Sequence, residues 1–188
     1  MVHGMGAATE DPELWAFLAS RHRGEILSGT IAAIERFGVF VALDDSPDHP
    51  IFPGVGFISI PELSWRRFEA VSDVVQVGQR VSCVFLQFDT WNGEARLSLK
   101  ATQSDPFQEF ADTVGVGRRL QGQVTKLVPF GAFVQVAGGV EGLVPLQELT
   151  STPVATPQEA VEVGDEVTVT VTDVDRERRR LLLSRRQA

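Results

Sequence analysis

The sequence predicts an all-β protein with short helices, built from two five-stranded barrels in tandem that are joined by a helical linker. An internal repeat is the first observation: residues 24–43 align with residues 117–136 when the chain is shifted by 93 positions. Residues 56–63 align with residues 142–149 at a shift of 86 positions, so the first copy carries a seven-residue insertion. The second observation is that apolar and polar side chains alternate within each copy, which is typical of strands.

Each copy is preceded by a short segment with the pattern of a helix. Asp-Pro opens both segments, at residues 11–12 and 105–106, and aspartate followed by proline is a favourable helix start. The apolar residues that follow have the spacing of one helical face, and we expect them to pack on the next barrel: Leu14, Trp15, Phe17, Leu18, Phe107, Phe110 and Ala111. The predicted divisions are a tail and helix (1–23), a first barrel (24–104), a linker helix (105–116) and a second barrel (117–188).

Each copy is expected to contain three strands, a short helical turn and two further strands. In the second strand of the first copy, Val39 and Val41 alternate with Phe40 and Ala42. Asn-Gly at residues 92–93 predicts a hairpin between the last two strands. Because open sheet edges promote aggregation, five short strands favour a small, partly open barrel.

Composition excludes several classes of protein. The chain of 188 residues has 43% hydrophobic and 22% charged residues, which is ordinary for a folded protein. It has no apolar run of the length that spans a bilayer, and its N-terminus lacks a basic leader and an apolar core, so we expect a cytoplasmic protein without a membrane partner. Cys83, the single cysteine, rules out an internal disulfide and is expected to be a buried, small apolar residue.

No motif in the sequence predicts catalysis, a metal site or a cofactor. His3, His22 and His49 have no metal-ligand spacing, and we assign them no chemistry. We find no phosphate loop, nucleophile elbow or zinc motif, since the two stretches that begin Gly-x-Gly lack the third glycine. Glu62 and Glu148 recur at matching positions, which fits a structural turn as well as a catalytic role. We therefore expect a non-enzymatic protein.

A Phe-Gly-x-Phe stretch occurs once in each copy. Strand alternation directs Phe40 and Phe133 to the outside of the barrel, where an exposed ring costs about 25 cal/mol per Å² left unburied. Exposed aromatics on a barrel face stack the bases of single-stranded nucleic acid, at about 1–3 kcal/mol per base. Phe37 and Phe130 either extend this surface or fill the mouth of the barrel. The stretches therefore predict two base-stacking surfaces.

The glycines inside these stretches, Gly38 and Gly131, have two interpretations. They can leave room for a ligand backbone beside the aromatic rings, or they can mark a bend in the strand. The sequence leaves both open.

Both copies resemble the S1 domain, an RNA-binding repeat named after a bacterial ribosomal protein. The resemblance rests on "RFGVFVAL" and "GFISIPEL" in the first copy and on "PFGAFVQV" and "GLVPLQEL" in the second. It implies OB-type barrels that bind single-stranded RNA in translation or RNA metabolism. The family often has a histidine where this chain has Ser59 and Pro145. The implied site residues are Phe37, Phe40, Asp89 and Arg96 in the first copy and Phe130, Phe133, Asp175 and Arg180 in the second.

Charge favours the second copy as the RNA site. The net charge is −8, whereas nucleic-acid binders usually carry a basic surface. Locally, however, six of the last thirteen residues are arginines: Arg176, Arg178, Arg179, Arg180, Arg185 and Arg186. We expect Arg178 and Arg180 to bind phosphate, with Lys126 and Asp175 in the same RNA-binding set. Arg185 and Arg186 are expected to belong to a solvated tail.

The first copy has candidate RNA contacts but also an acidic insertion at residues 44–55. Because Asp44, Asp45 and Asp48 repel phosphate, the alternative is that this copy docks the ribosome or another protein. A metal site formed by these aspartates and His49 is conceivable, and a solvated acidic loop is the favoured interpretation. The candidate RNA contacts of this copy are Phe37, Phe40, Arg36, Trp91, Arg96 and Lys100.

Overall fold

The computed structural model describes residues 11–188, which form two compact domains that divide after Ser104. The tail predicted at the N-terminus and His3 lie outside the described residues. In the first domain the elements are α1 (Pro12–Ala19), β1 (Ile26–Glu35), β2 (Gly38–Leu43), β3 (Gly56–Ser59), β4 (Arg80–Asp89) and β5 (Glu94–Ser98). In the second domain they are α2 (Pro106–Thr113), β6 (Arg119–Val128), β7 (Gly131–Gln135), β8 (Glu141–Pro145), β9 (Glu166–Asp175) and β10 (Arg180–Ser184).

Each set of five strands closes into a barrel. The strand order is β1-β2-β3-β5-β4 in the first domain and β10-β8-β7-β6-β9 in the second. All neighbours pair antiparallel except β3 with β5 and β8 with β10, which pair parallel and complete the ring. The predicted fold of two five-stranded barrels is confirmed, and the parallel pair closes each barrel that was expected to be partly open.

Each of the two helices begins at an aspartate that caps its N-terminus, as the sequence predicts. Oδ1 of Asp11 accepts hydrogen bonds from the backbone N–H groups of Glu13 and Leu14, both at 3.1 Å, and Asp105 accepts one from Phe107 N at 2.9 Å. Leu14 is fully buried in the first core, and Phe107 is 5% exposed in the second. Each helix therefore contributes to the core of the barrel that follows it.

Cys83 lies in the middle of the first core. Its side chain is fully buried among apolar residues, and this burial raises the pKa of the thiol to about 11. The prediction that it serves as a small apolar residue is confirmed, because a thiol with such a pKa is neutral and unreactive at physiological pH.

Gly38 and Gly131 sit where the next strand approaches the chain closely. A Cβ atom on Gly38 would overlap the ring of Phe57, and one on Gly131 would overlap the carbonyl oxygen of Val144. Protein atoms therefore occupy the space in which a ligand backbone was expected to fit. That interpretation of the glycines is wrong, and the requirement comes from packing between strands.

The recurring glutamates hold the end of each barrel. The backbone oxygen of Glu62 accepts a hydrogen bond from Leu99 N at 3.0 Å, and that of Glu148 accepts one from Arg185 N at 2.9 Å. The Glu148 carboxylate also pairs with Arg186 at 3.1 Å. These contacts confirm a structural turn. The prediction of a solvated tail at Arg185 and Arg186 is wrong, because Glu148 anchors both residues.

No helix between residues 11 and 188 is long and apolar enough to cross a membrane.

Close packing at Gly131 leads to a stability prediction. We expect Gly131→Ala to lower the stability of the second domain by about 1–3 kcal/mol, because the new methyl group forces β7 away from β8. Hydrogen exchange of the β7 and β8 amides measures the change. Gly115→Ala is the matched control, since a Cβ there would meet no atom within 4 Å. Equal protection in the two variants would contradict the packing argument.

Candidate nucleic-acid interface

Strand pairing places outward-facing side chains in a row across the second barrel. Lys126 pairs with Phe133, and Phe133 pairs with Leu143. Leu143 in turn pairs with Leu182, across the parallel strands that close the barrel. Neighbouring strands lie about 4.8 Å apart, so these four side chains form a continuous strip, which we call the outer row. The adjacent residue Val134 is 1% exposed, which shows that the alternate positions face the core.

Two aromatic rings are accessible on the second domain. Phe130, in the turn before β7, is 58% exposed, and Phe133 in the outer row is half-buried. Phe133 points outward, as strand alternation predicts, and Phe130 belongs to the surface and does not fill the mouth of the barrel. The two rings are three residues apart at the start of one strand, so this domain has two ring surfaces open to a ligand.

The arginine run between β9 and β10 is divided between structure and surface. Arg176 pairs with Asp112 of α2 at 2.8 Å. Arg179 pairs with Asp105, the cap of the same helix, and lies 5.3 Å above the ring of Phe107. These two arginines therefore hold the hairpin against α2.

Arg178 and Arg180 differ from their neighbours. Both are exposed, and neither side chain makes a hydrogen bond or ion pair with any other described residue. Lys126 at the end of the outer row is exposed and equally unpaired within residues 11–188. These three cations of the second domain are thus available to phosphate.

Asp175 and Asp89 organise the two equivalent hairpins. Oδ1 of Asp175 accepts a hydrogen bond from Arg178 N at 2.9 Å. Oδ1 of Asp89 accepts hydrogen bonds from Trp91 N at 2.8 Å and Asn92 N at 3.2 Å. Both carboxylates are therefore occupied by the turn that follows them, which positions the residues on the far side of each hairpin.

In the first barrel the outer row has a different composition. Ala33 pairs with Phe40, Phe40 with Phe57, and Phe57 with Arg96. Phe57 belongs to this row, although it is absent from the set of site residues predicted from the sequence. The sequence held no clear signal for it, because Phe57 and Ile58 are both apolar and are 6% and 0% exposed; the pairing with Phe40 identifies the row.

The strand register corrects one residue match between the two copies. Arg96 pairs with Phe57, whereas Leu182 pairs with Leu143, so Arg96 and Leu182 are equivalent. The predicted match of Arg96 with Arg180 is therefore wrong by two residues. The residue opposite Asp175 is Arg180, and the residue opposite Asp89 is Glu94. The first domain has an acid where the second has a free arginine.

Arg96 is neutralised by its neighbours. Its guanidinium lies 2.9 Å from Asp89 and 3.7 Å from Glu94, and it covers the ring of Phe57 at 4.9 Å. Phe37, which is 59% exposed, stacks on Phe57 with ring centroids 5.9 Å apart. A cleft of about 460 Å³ lies beside these groups and includes Ser59, the position where the family often has histidine.

The pKa values of Asp89 and Glu94 are shifted in opposite directions by burial and by ion pairing. Burial acts to raise the pKa of Asp89, but hydrogen bonds from Arg96 and from the N–H groups of Asn92 and Trp91 outweigh it, and the pKa lies below its usual value. Burial raises the pKa of Glu94 above its usual value, against the attraction of Arg96. Glu94 therefore carries its charge at a cost to the folded domain.

Phe40 is not exposed. It is 4% accessible, because Phe52 stacks on it at 5.2 Å, Phe57 packs at 5.4 Å and Phe37 packs at 6.1 Å. The expectation of an open ring at this position is wrong in the first copy. Strand alternation indicated the correct direction for Phe40, but the insertion supplies Phe52 to cover it.

The other candidates of the first domain lie apart from the cleft lining. Arg36 and Trp91 are exposed in turns, and Trp91 is 71% accessible. The ammonium of Lys100 lies 4.3 Å above the ring of Trp65, whose Nε1 donates a hydrogen bond to Lys100 O at 2.9 Å. Lys100 is therefore engaged by a neighbouring loop.

The three aspartates of the insertion, Asp44, Asp45 and Asp48, are exposed, as expected of a solvated acidic loop, but other parts of the insertion are tied to the barrel. Asp44 makes a bidentate pair with Arg80 at 2.6 and 2.8 Å, and His49 is 8% exposed. Across residues 11–188, no group of three or more His, Cys, Asp or Glu side chains could hold a metal ion.

The raised pKa of Glu94 gives a pH-dependent prediction. A carboxylate whose pKa is higher in the folded state reduces stability above that pKa, and the cost disappears below the ordinary glutamate pKa. We expect Glu94→Gln to stabilise the first domain at pH 7, with the gain shrinking as the pH falls. Urea unfolding followed by tryptophan fluorescence measures it, because all three tryptophans precede Ser104. Glu69→Gln, at an exposed site, is the control, and a loss of stability in Glu94→Gln at pH 7 would contradict the argument.

Comparison with known proteins places the chain among RNA-binding domains. The small ribosomal subunit protein bS1 of Mycolicibacterium smegmatis is 45% identical over 173 residues, which cover 92% of this chain and 34% of that protein. The bS1 homolog of Bacillus subtilis is 36% identical over 170 residues, covering 90% of this chain and 42% of that protein. The chain thus spans about two fifths or less of the length of these relatives.

The solution structure of GSP13 from Bacillus subtilis is 40% identical to this chain, with a TM-score of 0.38, and the match covers 39% of this chain and 57% of GSP13. The family model of the S1 RNA binding domain matches residues 22–100 and 113–186. These two stretches include every strand of both barrels. The chain therefore belongs to the S1 RNA-binding domain family and carries two copies of the domain.

Proposed function

We propose that this chain binds single-stranded RNA through its second domain, without catalysing a reaction on it, in bacterial translation in the cytoplasm. Membership of an RNA-binding family supports the ligand class, and relatives named as small ribosomal subunit proteins support the process. The proposal extends to contact with the ribosome, which the same relatives support.

The observation that carries the proposal is the pairing of open rings with unpaired cations on the second domain. Phe130 and Phe133 offer faces to bases, and stacking is worth about 1–3 kcal/mol per base whatever its identity. Arg178, Arg180 and Lys126 lie along the same barrel and have no other partner among residues 11–188. Stacking together with phosphate contacts is the combination that single-stranded RNA requires.

The net charge of −8 is compatible with this site. Exposed charges farther apart than about 8–10 Å are largely screened at physiological salt, so the local cations matter more than the total. Glu177, the acid closest in sequence to these arginines, is exposed, and Asp175 is half-buried and accepts a hydrogen bond from Arg178 N. We propose that the first domain adds less RNA affinity and is the part suited to contact with the ribosome.

Removal of one exposed ring tests the stacking surface. We expect Phe130→Ala to weaken binding of a labelled single-stranded RNA of about twelve nucleotides by about 5- to 100-fold, the equivalent of one stacked base. Adding Phe133→Ala should reduce binding further. Fluorescence anisotropy at low salt measures both. Phe37→Ala is the matched comparison and should cost less affinity, because Phe37 and Phe130 are 59% and 58% exposed but Phe57 covers one face of Phe37. No binding by the parent chain, or no change in the double variant, would refute the RNA site.

A second test separates phosphate contact from general charge. We expect Arg178→Gln, and likewise Arg180→Gln, to reduce the slope of log affinity against log salt by about 0.7, the value for one phosphate contact in a single strand. Arg176→Gln removes the same charge from the same hairpin, but Arg176 is already paired with Asp112. Its slope should stay that of the parent. Equal slopes for all three variants would show that these arginines act only through net charge.

A further inference from the structure

Phe40 and Phe133 occupy equivalent positions in the two outer rows but differ in accessibility. Phe133 is half-buried, so part of its ring is accessible, whereas Phe40 is 4% exposed. The difference comes from residues 44–55, the insertion between β2 and β3, which has no counterpart in the second domain. There, β7 and β8 are joined by residues 136–140, which contain no aromatic side chain.

Phe52 makes the closest contact of the insertion with the outer row. Its ring and that of Phe40 have centroids 5.2 Å apart and planes inclined by 22°. This offset, nearly parallel arrangement is the one that stacked aromatic rings prefer. Phe57 and Phe37 cover Phe40 from other sides, so no face of the ring remains for a base.

His49 holds the insertion in place from within. Its Nδ1 accepts hydrogen bonds from the N–H groups of Ile51 at 3.0 Å and Phe52 at 2.9 Å. Its Nε2 lies 2.8 Å from the carbonyl oxygen of Asn92, to which it donates. The ring of His49 also packs against Phe52 at 4.6 Å. One buried imidazole thus ties Phe52 to the β4–β5 hairpin.

Both ends of the insertion are fixed as well. At its start, Asp44 makes two hydrogen bonds to Arg80. At its end, Val55 is 1% exposed and its carbonyl oxygen accepts a hydrogen bond from Ala95 N at 2.8 Å. Gly54 lies so close to β2 that a Cβ there would overlap the backbone of Val41. The segment is therefore fixed to the barrel at its start, at His49 and at its end.

We propose that residues 44–55 are an internal plug that closes the central stacking position of the first domain to RNA, with Phe52 taking the place of a base on Phe40. This inference rests on the proposed function, because it assumes that the equivalent position in the second domain stacks a base. Two residue differences between the barrels agree with this proposal. Ala33 stands where the second domain has Lys126, and Glu94 stands where it has Arg180.

One loop therefore gives the two domains different stacking surfaces. Within its Phe-Gly-x-Phe stretch the first domain leaves one ring exposed, Phe37, and one face of that ring is covered by Phe57. The second domain presents Phe130 and Phe133. The two S1 domains of this chain therefore differ in the number of rings that the Phe-Gly-x-Phe stretch offers to bases.

The test is a gain of binding. In a full chain that carries Phe130→Ala and Phe133→Ala, we expect the further change Phe52→Ala to tighten binding of the twelve-nucleotide RNA by at least about fivefold, the equivalent of one stacked base. Ile51→Ala in the same background is the control, because Ile51 is 68% exposed and does not cover Phe40. The absence of a gain in Phe52→Ala would overturn the plug.

Hydrogen exchange of the parent chain with and without RNA provides a measurement that needs no variant. We expect RNA to protect the amides of β7 and to leave those of β2 unchanged. Protection of β2 equal to that of β7 would overturn the plug, while absence of all RNA binding by the parent chain would refute the proposed function instead. If Phe52→Ala unfolds the first domain, as tryptophan fluorescence would show, this measurement decides alone.

Discussion

Closure of each barrel by one parallel strand pair is the constraint on which the site depends. An open sheet would leave β5 and β10 free to shift, and a shift of one residue would exchange the inner and outer faces of the strand. Pairing of Phe57 with Arg96, and of Leu143 with Leu182, prevents this and brings the last strand next to the aromatic strands. The outer rows therefore have a defined order of side chains, and a ligand lying across them meets that order.

The two outer rows lie on equivalent strands but carry different side chains. Positions equivalent by register carry Ala33 and Lys126 at one end, and Glu94 and Arg180 beside the hairpin aspartate. A lysine in place of alanine and an arginine in place of glutamate make the local charge of the second domain more positive, which favours a polyanionic ligand there. Of these four side chains Lys126 and Arg180 are exposed, whereas Glu94 is 4% exposed.

Several charged side chains already form ion pairs within the protein, and this limits which of them can bind a ligand. Arg176 and Arg179 hold a hairpin against α2, and Arg96 is balanced by two acids, so a count of arginines overstates the basic surface. Arg178, Arg180 and Lys126 are exposed and make no pair with any described residue, so their hydration can be displaced by a ligand. They lie on the same barrel as Phe130 and Phe133, which is the combination on which the proposed RNA site rests.

Much of the architecture was determined by the sequence alone. The internal repeat, the Asp-Pro helix starts and the alternation around Phe40 and Phe133 were sufficient for two barrels with correctly oriented strands, because these are local patterns with a period of two or 3.6 residues. The tertiary structure decided which outward residues are accessible and which charges are free. Phe52 reaches Phe40 from twelve residues away, and Arg179 reaches Asp105 from the other end of the domain. Such contacts depend on how distant segments pack, and no periodicity in the sequence records them.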